Sequence, residues 1–263
     1  MLAAVDWHVV WQRIFHPDHV FFRALYTTVY IAVVAQVMGV LLGLVAALMR
    51  TSKVWPLRFL SGLYVLIFRG TPLLVQIFFI YYGVNLLLGF TLIPNSLNFG
   101  LFSLDGAVVA GILALGVNEG AYMREIIRAG IDSIDRGQME AAKSLGMRYA
   151  LAMRRIILPQ AARVIIPPLG NEFNAMLKNT TLVSVIGVPE LLLATQMVTS
   201  ATFRVFELYT VVALYYLTLT TLWGFVQRAI ERRFGEPAQA LPRNTGIVAS
   251  MWKSLKLGQG SAR

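Results

Sequence analysis

Five long apolar segments follow one another along the chain, and each is long enough to cross a lipid bilayer. They cover residues 24–49, 58–88, 105–128, 160–187 and 207–228. A bilayer core about 30 Å thick is spanned by about 20 apolar residues in a helix, and lipid offers no hydrogen-bond partner to a non-helical backbone. The pattern therefore predicts an all-α integral membrane protein with five transmembrane helices and with its termini on opposite sides.

Polar residues, glycines and prolines interrupt some of these segments. The tetrapeptide Arg-Gly-Thr-Pro at 69–72 breaks the second, and Pro167, Pro168 and Gly170 fall in the fourth. Proline removes a backbone donor and glycine weakens a helix, so we expect a hinge in the second span. In the fourth we expect loosened, non-helical backbone beside a cavity.

Composition agrees with a membrane protein and removes several kinds of site. Of the residues, 57% are hydrophobic and 14% are charged, and the mean hydropathy is +0.65. There is no cysteine, which excludes disulfides and thiolate metal sites. His8, His16 and His19 have no carboxylate at ligand spacing, so we predict interfacial side chains and no metal site.

Basic residues orient the chain in the membrane. With the loop after the first span inside, 18 of the 23 lysines and arginines face the cytoplasm, three face outside, and Arg69 and Lys178 lie within spans. Short cytoplasmic loops carry such an excess, so we predict the N-terminus outside and the C-terminus inside. The net charge of +10 then faces an anionic inner leaflet, and no nucleic-acid partner is needed to explain it.

The loop between the third and fourth spans contains the stretch EAAKSLGMRYALAMRRIILP at 140–159. Its residues predict two short helices, with Gly146 supplying a left-handed ending to the first and Pro159 opening the next span. Gly137 is expected to break the preceding run. On physical grounds alone, such a segment either enters a groove on another protein or lies as an amphipathic helix on the membrane.

A family resemblance decides between these two readings. The spacing of Glu140, Ala141, Ala142, Gly146 and Pro159 resembles the EAA loop in the membrane subunits of bacterial ABC importers. Three stretches, FRGTPLLVQIFFIYYG (68–83), GAYMREIIRAGIDSIDRGQMEAAKSLGM (120–147) and LPQAARVIIPPLGNEFNAMLKNTTLVSVIGVPEL (158–191), are similar to permeases for polar amino acids, the histidine, glutamate, glutamine, arginine and opine group. The similarity covers about residues 20–234.

The resemblance implies the fold and the partners. It implies a type I ABC importer permease in the bacterial inner membrane, with a cytoplasmic coupling helix between the third and fourth spans that docks on an ABC ATPase dimer. The implied coupling residues are Glu140, Ala141, Ala142, Gly146, Arg148 and Pro159. The further partners implied are a second permease subunit, identical or homologous, an extracytoplasmic solute-binding protein and a polar amino acid substrate.

No glycine-rich phosphate loop ending in Gly-Lys-Ser/Thr occurs in the chain. The chain is therefore predicted to be a transport subunit and not an enzyme, with no cofactor of its own. ATP and Mg²⁺ would bind to the partner ATPase.

Polar side chains within the spans are the candidates for the translocation path or its gate. An ionisable residue near the centre of a span costs about 2.5–3.5 kcal/mol and usually has a partner or faces a cavity. The candidates are Arg69, Thr71, Pro72, Glu119, Asn171, Glu172, Asn174, Lys178 and Thr181. Structural explanations stand beside this one: Arg69 could hydrogen-bond carbonyls freed at the hinge, Glu119 could pair with a basic residue or meet a substrate amino group, and Glu172 and Lys178 could be interfacial charges.

Three regions follow from these predictions: an external N-terminal segment at 1–21, a transmembrane domain at 22–235 with its EAA loop at about 138–159, and a cytoplasmic basic tail at 236–263, either disordered or helical on the inner leaflet. Gly39 and Gly43 form a small-xxx-small pattern for close helix packing, within the subunit or with a partner.

Two other functional classes remain as alternatives. An ion-driven secondary transporter would need inverted internal repeats, and the sequence has no convincing repeat of this kind. An intramembrane enzyme would need a catalytic motif in a span, but HExxH and GxSxG are both absent.

Overall fold

The computed structural model describes residues 5–89, 93–94, 96–98 and 103–234, so the basic tail predicted at 236–263 lies outside the described residues. The α-helices are α1 (Trp7–Phe15), α2 (His19–Thr51), α3 (Trp55–Gly70), α4 (Leu73–Phe78), α5 (Val84–Leu88), α6 (Gly106–Asp132), α7 (Arg136–Ser144), α8 (Tyr149–Ala152), α9 (Leu158–Asn179), α10 (Leu191–Thr202) and α11 (Val205–Phe234). Two short antiparallel strands, β1 (Ser96–Asn98) and β2 (Ser103–Asp105), precede α6.

Three short non-α helical segments join some of these helices. A π-helical turn, Phe79–Gly83, connects α4 to α5, and a second, Met153–Ile157, connects α8 to α9. A 3₁₀ helix, Thr180–Ile186, extends α9 and ends at Gly187, whose φ is +85°.

Helices long and apolar enough to cross a membrane number three in the part of the chain that the structure describes: α2, α6 and α11. Two further pairs pass the same criteria together. The α3 run and the α4–α5 run meet at 108°, and the run Tyr149–Ile186 meets α10 at 51°. The count reaches five, as the apolar pattern predicts, when each bent pair is taken as one span.

Helix α6 is the centre of the structure and α11 lies at its edge. Within the most apolar 18-residue stretch of each helix, 72% is buried inside the chain in α6 but only 17% in α11. Glycine explains how α2 approaches α6 so closely: a Cβ on Gly39 would lie 2.5 Å from Glu119 Cγ, and one on Gly43 would lie 2.4 Å from Met123 Cβ. The small-xxx-small pattern therefore serves packing within the chain.

The N-terminal helix α1 lies against the beginning of α11. Val10 is buried in one apolar cluster with residues of α2, α10 and α11, and Trp7 contacts the ring of Phe206 edge-on at 6.4 Å. An ion pair of 3.1 Å joins Arg204 to Asp6. Residues before the first span are therefore held on the same end of the bundle as α10.

The break before α7 lies earlier than the prediction placed it. Helix α6 ends at Asp132, and the Asp135 carboxylate caps α7 by accepting the backbone N–H of Gly137 at 2.6 Å. The expectation that Gly137 breaks the run is wrong, because an aspartate N-cap starts the new helix and Gly137 lies in its first turn.

Candidate functional site

The second span turns sharply at Thr71 and Pro72. Thr71 has extended backbone with φ −120° and ψ 149°, and Pro72 caps α4 with φ −65° and ψ 134°. A residue before proline is driven out of the helical region, and proline cannot donate to the preceding turn. The local sequence thus produces the 108° bend and leaves carbonyls of the last turn of α3 in need of partners.

Two amide side chains supply those partners. Gln76 Nε2 donates to Phe68 O at 2.9 Å, to Thr71 O at 3.0 Å and to Thr71 Oγ1 at 2.8 Å. From α6, Asn118 Nδ2 donates to Phe68 O at 2.9 Å and to Gln76 Oε1 at 2.9 Å. We call Gln76, Asn118, Thr71 and the Phe68 carbonyl the amide bracket, because together they tie the bend to the central helix.

The prediction that Arg69 hydrogen-bonds the carbonyls freed at this bend is wrong. Its guanidinium lies 5.1 Å from the ring centroid of Tyr122, and the freed carbonyls are bonded by Gln76 and Asn118 instead. Sequence reasoning missed both amides. The available signals were a glutamine four residues after Pro72 in an otherwise apolar run and an asparagine beside Glu119.

Glu119 has an amide partner and not the basic partner predicted for it. It is 4% exposed and accepts from Gln36 Nε2 at 3.0 Å. No basic side chain lies within ion-pair distance of it among residues that the structure describes. Glu172 is close enough to interact electrostatically with both Glu119 and Arg69. Electrostatic interaction therefore links these three side chains, which are distant in sequence.

The candidates on α9 and on the 3₁₀ helix that extends it lie mostly along one side. Asn171, Asn174, Lys178 and Thr181 recur at helical spacing, whereas Glu172 is one position round from Asn171. Lys178 is exposed, and Thr181 Oγ1 donates to its carbonyl at 2.8 Å. The buried Oδ1 of Asn174 has no hydrogen-bond partner within the described ranges.

The prolines do not unwind the fourth span. Helix α9 is continuous from Leu158 to Asn179. On the side of α11, Trp223 Nε1 donates to Gly170 O at 2.7 Å, and a Cβ on Gly170 would lie 2.7 Å from Gln227 Cδ. The expected non-helical backbone is therefore wrong here, because α11 covers this stretch and Gly170 allows that helix to approach.

The EAA stretch forms an exposed helical hairpin, made of α7, the Gly146 turn and α8. Gly146 has a φ of +77°, the left-handed conformation predicted for it. Gly146 N donates to Lys143 O at 2.9 Å and Met147 N donates to Ala142 O at 3.0 Å. These two bonds make a Schellman ending, which fixes the angle at which the chain leaves α7.

The tip of the hairpin is apolar and open. Leu145 is 82% exposed and Tyr149 is 60% exposed, whereas Ala142 and Ala152 are buried at the base. Glu140, Ala141 and Arg148 are also exposed. An apolar tip with small residues beside it can enter a groove, provided that a partner has one of matching shape.

Pro159 lies in the first turn of α9, as predicted for the start of the fourth span, but α9 is not separate from the hairpin. The chain is helical without interruption from Tyr149 to Ile186, and the π-helical turn Met153–Ile157 directly precedes Leu158. A π turn relieves a helix of one regular hydrogen bond, which accommodates the missing N–H of Pro159. The hairpin is thus joined to the fourth span as one helical piece.

Comparison with known proteins identifies the chain. The family model described as "Binding-protein-dependent transport system inner membrane component" matches residues 39–236. A probable amino-acid permease protein of Bacillus subtilis, YxeN, is 38% identical over 227 residues, 86% of this chain and 96% of that protein. The B. subtilis L-cystine transport system permease protein TcyB is 39% identical over 232 residues, 88% of this chain and 92% of its own length.

A solved structure agrees with these relatives. An amino acid ABC transporter, crystallised with histidines, has a chain that is 40% identical, with a TM-score of 0.74, and the match covers 88% of this chain and 99% of that chain. The ion-driven alternative has no support in these similarities, and in such transporters ATP hydrolysis belongs to a separate subunit. The chain belongs to the family of binding-protein-dependent transport system inner membrane components.

Proposed function

We propose that this permease imports a polar amino acid, with its α7–α8 hairpin docking on a cytoplasmic ABC ATPase and its buried polar groups forming the path. The observation that carries the proposal is the hairpin, whose exposed apolar tip is held by a Schellman turn and continues into a membrane span. The printed functions of the relatives, amino-acid and L-cystine permeation, support the substrate class.

The hairpin fits a protein groove better than a membrane surface. Leu145 and Tyr149 stand at the tip of a turn, whereas a helix that lies on lipid presents a long apolar side along its axis. Helix α7 has only nine residues, among them Arg136, Glu140 and Lys143. We assign Glu140, Ala141, Ala142, Gly146, Arg148 and Pro159 to coupling, with Ala142 and Pro159 shaping the hairpin and its junction with α9.

The path would lie between two permease subunits, where polar groups of the bend and of α9 face a shared cavity. Glu172 interacts electrostatically with Arg69 and Glu119, and the buried Oδ1 of Asn174, which has no partner among the described residues, could accept from a ligand or from the second subunit. Thr71 and Pro72 set the bend. Asn171, Lys178 and Thr181 continue the polar side of α9 toward Gly187.

The proposed orientation places the hairpin in the cytoplasm and α1 outside. The two lie at opposite ends of the bundle, because α1 precedes α2, the hairpin follows α6, and α2 and α6 run parallel, with Gly39 beside Glu119 and Gly43 beside Met123. Basic residues concentrate at the hairpin end, as expected of a cytoplasmic side. The partners would be an ATPase dimer binding ATP and Mg²⁺, a second permease and an external solute-binding protein.

Single cysteines test docking and orientation together, because the chain has none of its own. Leu145→Cys places a thiol at the hairpin tip, and Ser200→Cys places one on exposed α10 at the other end. The full complex is labelled in sealed membrane vesicles of known sidedness with a membrane-impermeant maleimide. The Leu145→Cys thiol should react only from the cytoplasmic side, and at least tenfold more slowly when the ATPase is bound.

The Ser200→Cys thiol should react from the outside at a rate that the ATPase does not change. If the ATPase does not change the rate at which the Leu145→Cys thiol is labelled, docking by the hairpin is refuted. Reaction of that thiol from the outside would refute the orientation.

A further inference from the structure

A cleft that shares no lining residue with the amide bracket opens on the side of α3 at the hairpin end of the bundle. It has a volume of about 670 Å³ and is lined by Arg50, Trp55, Arg58, Phe59, Gly62, Leu63 and Leu66. Arg50 comes from the last turn of α2, and the other residues come from α3. We call it the α2–α3 cleft.

The lining residues of α3 form one continuous stripe. Trp55, Arg58, Phe59, Gly62, Leu63 and Leu66 follow the helical repeat of three and four residues. At 1.5 Å per residue, the stripe runs about 16 Å along the helix. Its first part is cationic and aromatic and its second part is apolar, so the cleft changes in character from the end of the helix toward the middle of the membrane.

The charged end of the cleft has no counter-charge among the residues that the structure describes. Arg50 and Arg58 are exposed, and neither forms an ion pair with any acidic side chain in the described ranges. Arginine presents a planar fork of donors that suits phosphate. Two unpaired guanidinium groups beside stacked Trp55 and Phe59 are complementary to an anionic group at the level of the lipid headgroups.

The apolar end of the cleft contains open space because a glycine lies at its centre. Gly62 is the residue at the middle of the stripe, and a Cβ placed on it would meet no atom within 4 Å. Other glycines of the bundle, such as Gly39 and Gly43, instead touch a neighbouring helix. Gly62 therefore leaves an open groove between the arginines and Leu66, which is 70% exposed.

The position of the cleft is held firmly. The α2–α3 loop has only three residues, and Ser61 Oγ donates to Ala46 O at 2.7 Å across the two helices. Arg124 Nε of α6 donates to Ser61 Oγ at 3.3 Å. The relative positions of Arg50 and Arg58 are thus fixed by α2, α3 and α6 and do not depend on a mobile loop.

We infer that the α2–α3 cleft binds an anionic phospholipid of the inner leaflet, its phosphate held by Arg50 and Arg58 and one acyl chain lying over Gly62 toward Leu66. Basic pockets between membrane helices are suited to such headgroups. A second copy of the chain fits the surface less well, since a two-fold interface places the same patch on both sides and would face four unpaired arginines with one another.

Native mass spectrometry of the purified complex tests the inference, with phosphatidylglycerol and zwitterionic phosphatidylcholine added in separate titrations. Phosphatidylglycerol should be retained and phosphatidylcholine should not. The double variant Arg50→Gln/Arg58→Gln should bind phosphatidylglycerol about 30-fold more weakly, since each basic residue near an anionic surface contributes a factor of about five to six and the two factors multiply. The matched control is Arg232→Gln/Arg233→Gln, which removes two exposed arginines from the last turn of α11. This control should leave phosphatidylglycerol retention unchanged.

A second variant tests the acyl-chain part and keeps both charges. Gly62→Leu should fill the groove and weaken phosphatidylglycerol retention, and because a Cβ at this position meets no atom within 4 Å, the complex should still assemble. Equal retention of the two lipids, an equal loss in the α11 control, or full retention in Gly62→Leu would each overturn the assignment. Cross-linking of Trp55→Cys to a second permease chain would also overturn it.

Discussion

The amide bracket makes the bend of the second span testable through Gln76. Its side chain donates to Phe68 O and Thr71 O and accepts from Asn118 Nδ2 at 2.9 Å. Gln76→Met keeps the volume and the apolar contacts of the side chain. The substitution therefore removes the hydrogen bonds and little else.

The structure limits the size of the effect. After the substitution Phe68 O still accepts from Asn118, so the lost bonds are the ones that Gln76 donates to Thr71 O and Thr71 Oγ1 and the one that it accepts from Asn118. A buried polar group without a partner costs about 1–3 kcal/mol. Because Thr71 is exposed, we expect a loss in the free energy of unfolding near the low end, about 1–2 kcal/mol.

A double-mutant cycle with Asn118→Leu measures whether the two amides act together. The free energy of unfolding of each variant is measured by chemical denaturation in one detergent, beside uptake by the reconstituted complex. We expect a coupling energy of about 0.5–3 kcal/mol, as for residues of one hydrogen-bond network. The control pairs Gln76→Met with Thr195→Val, which removes a buried hydrogen bond within α10. The losses in unfolding free energy of these two substitutions should be additive. Additive losses for Gln76 and Asn118 would refute the bracket.

Three further predictions concern other parts of the chain. Gly146→Asn should retain coupling of ATP hydrolysis to uptake and Gly146→Ala should reduce it several-fold, because a left-handed φ of +77° costs most non-glycine residues about 1–2 kcal/mol; equal activities would contradict this. Gly43→Leu should lower the thermal midpoint of the detergent-solubilised chain, since even a Cβ there lies 2.4 Å from Met123 Cβ, and an unchanged midpoint would argue against the close approach. Glu190→Ala should cost about 1–2 kcal/mol of unfolding free energy, because the fully buried carboxylate caps α10 and accepts from Tyr216 at 2.9 Å; a surface substitution such as Ser200→Ala is the control.

Apolar length predicts where the long helices lie but not which side chains contact one another. The segment boundaries, the bend at Pro72 and the turn at Gly146 follow from local rules about hydrophobic length, proline and glycine. The partner of Glu119 does not, since Gln36 is 83 residues away and many polar residues were equally possible. The prediction that Arg69 donates to the carbonyls at the bend was wrong for a similar reason. Its charge suggested it as the donor, but the neutral amides of Gln76 and Asn118 donate to those carbonyls instead.

The prolines of the fourth span show a further limit of local rules. Pro167 and Pro168 should weaken an isolated helix, yet α9 stays regular beneath α11. The contact that α11 makes with this stretch comes from Trp223, 53 residues away in sequence, whose indole N–H donates to Gly170 O. Local rules cannot predict such a contact. The same contact explains why Gly170 allows close packing and does not loosen the helix.

The connections on either side of the hairpin differ, and this difference has a mechanical consequence. Ser133 to Asp135 interrupt the helix between α6 and α7, whereas the chain from Tyr149 to Ile186 is one helical run. A displacement of the hairpin should therefore be absorbed before it reaches α6 but transmitted along α9, as far as the left-handed Gly187. We infer that the polar side of α9, with Asn174 and Lys178, moves relative to Glu119 on α6 when the hairpin moves.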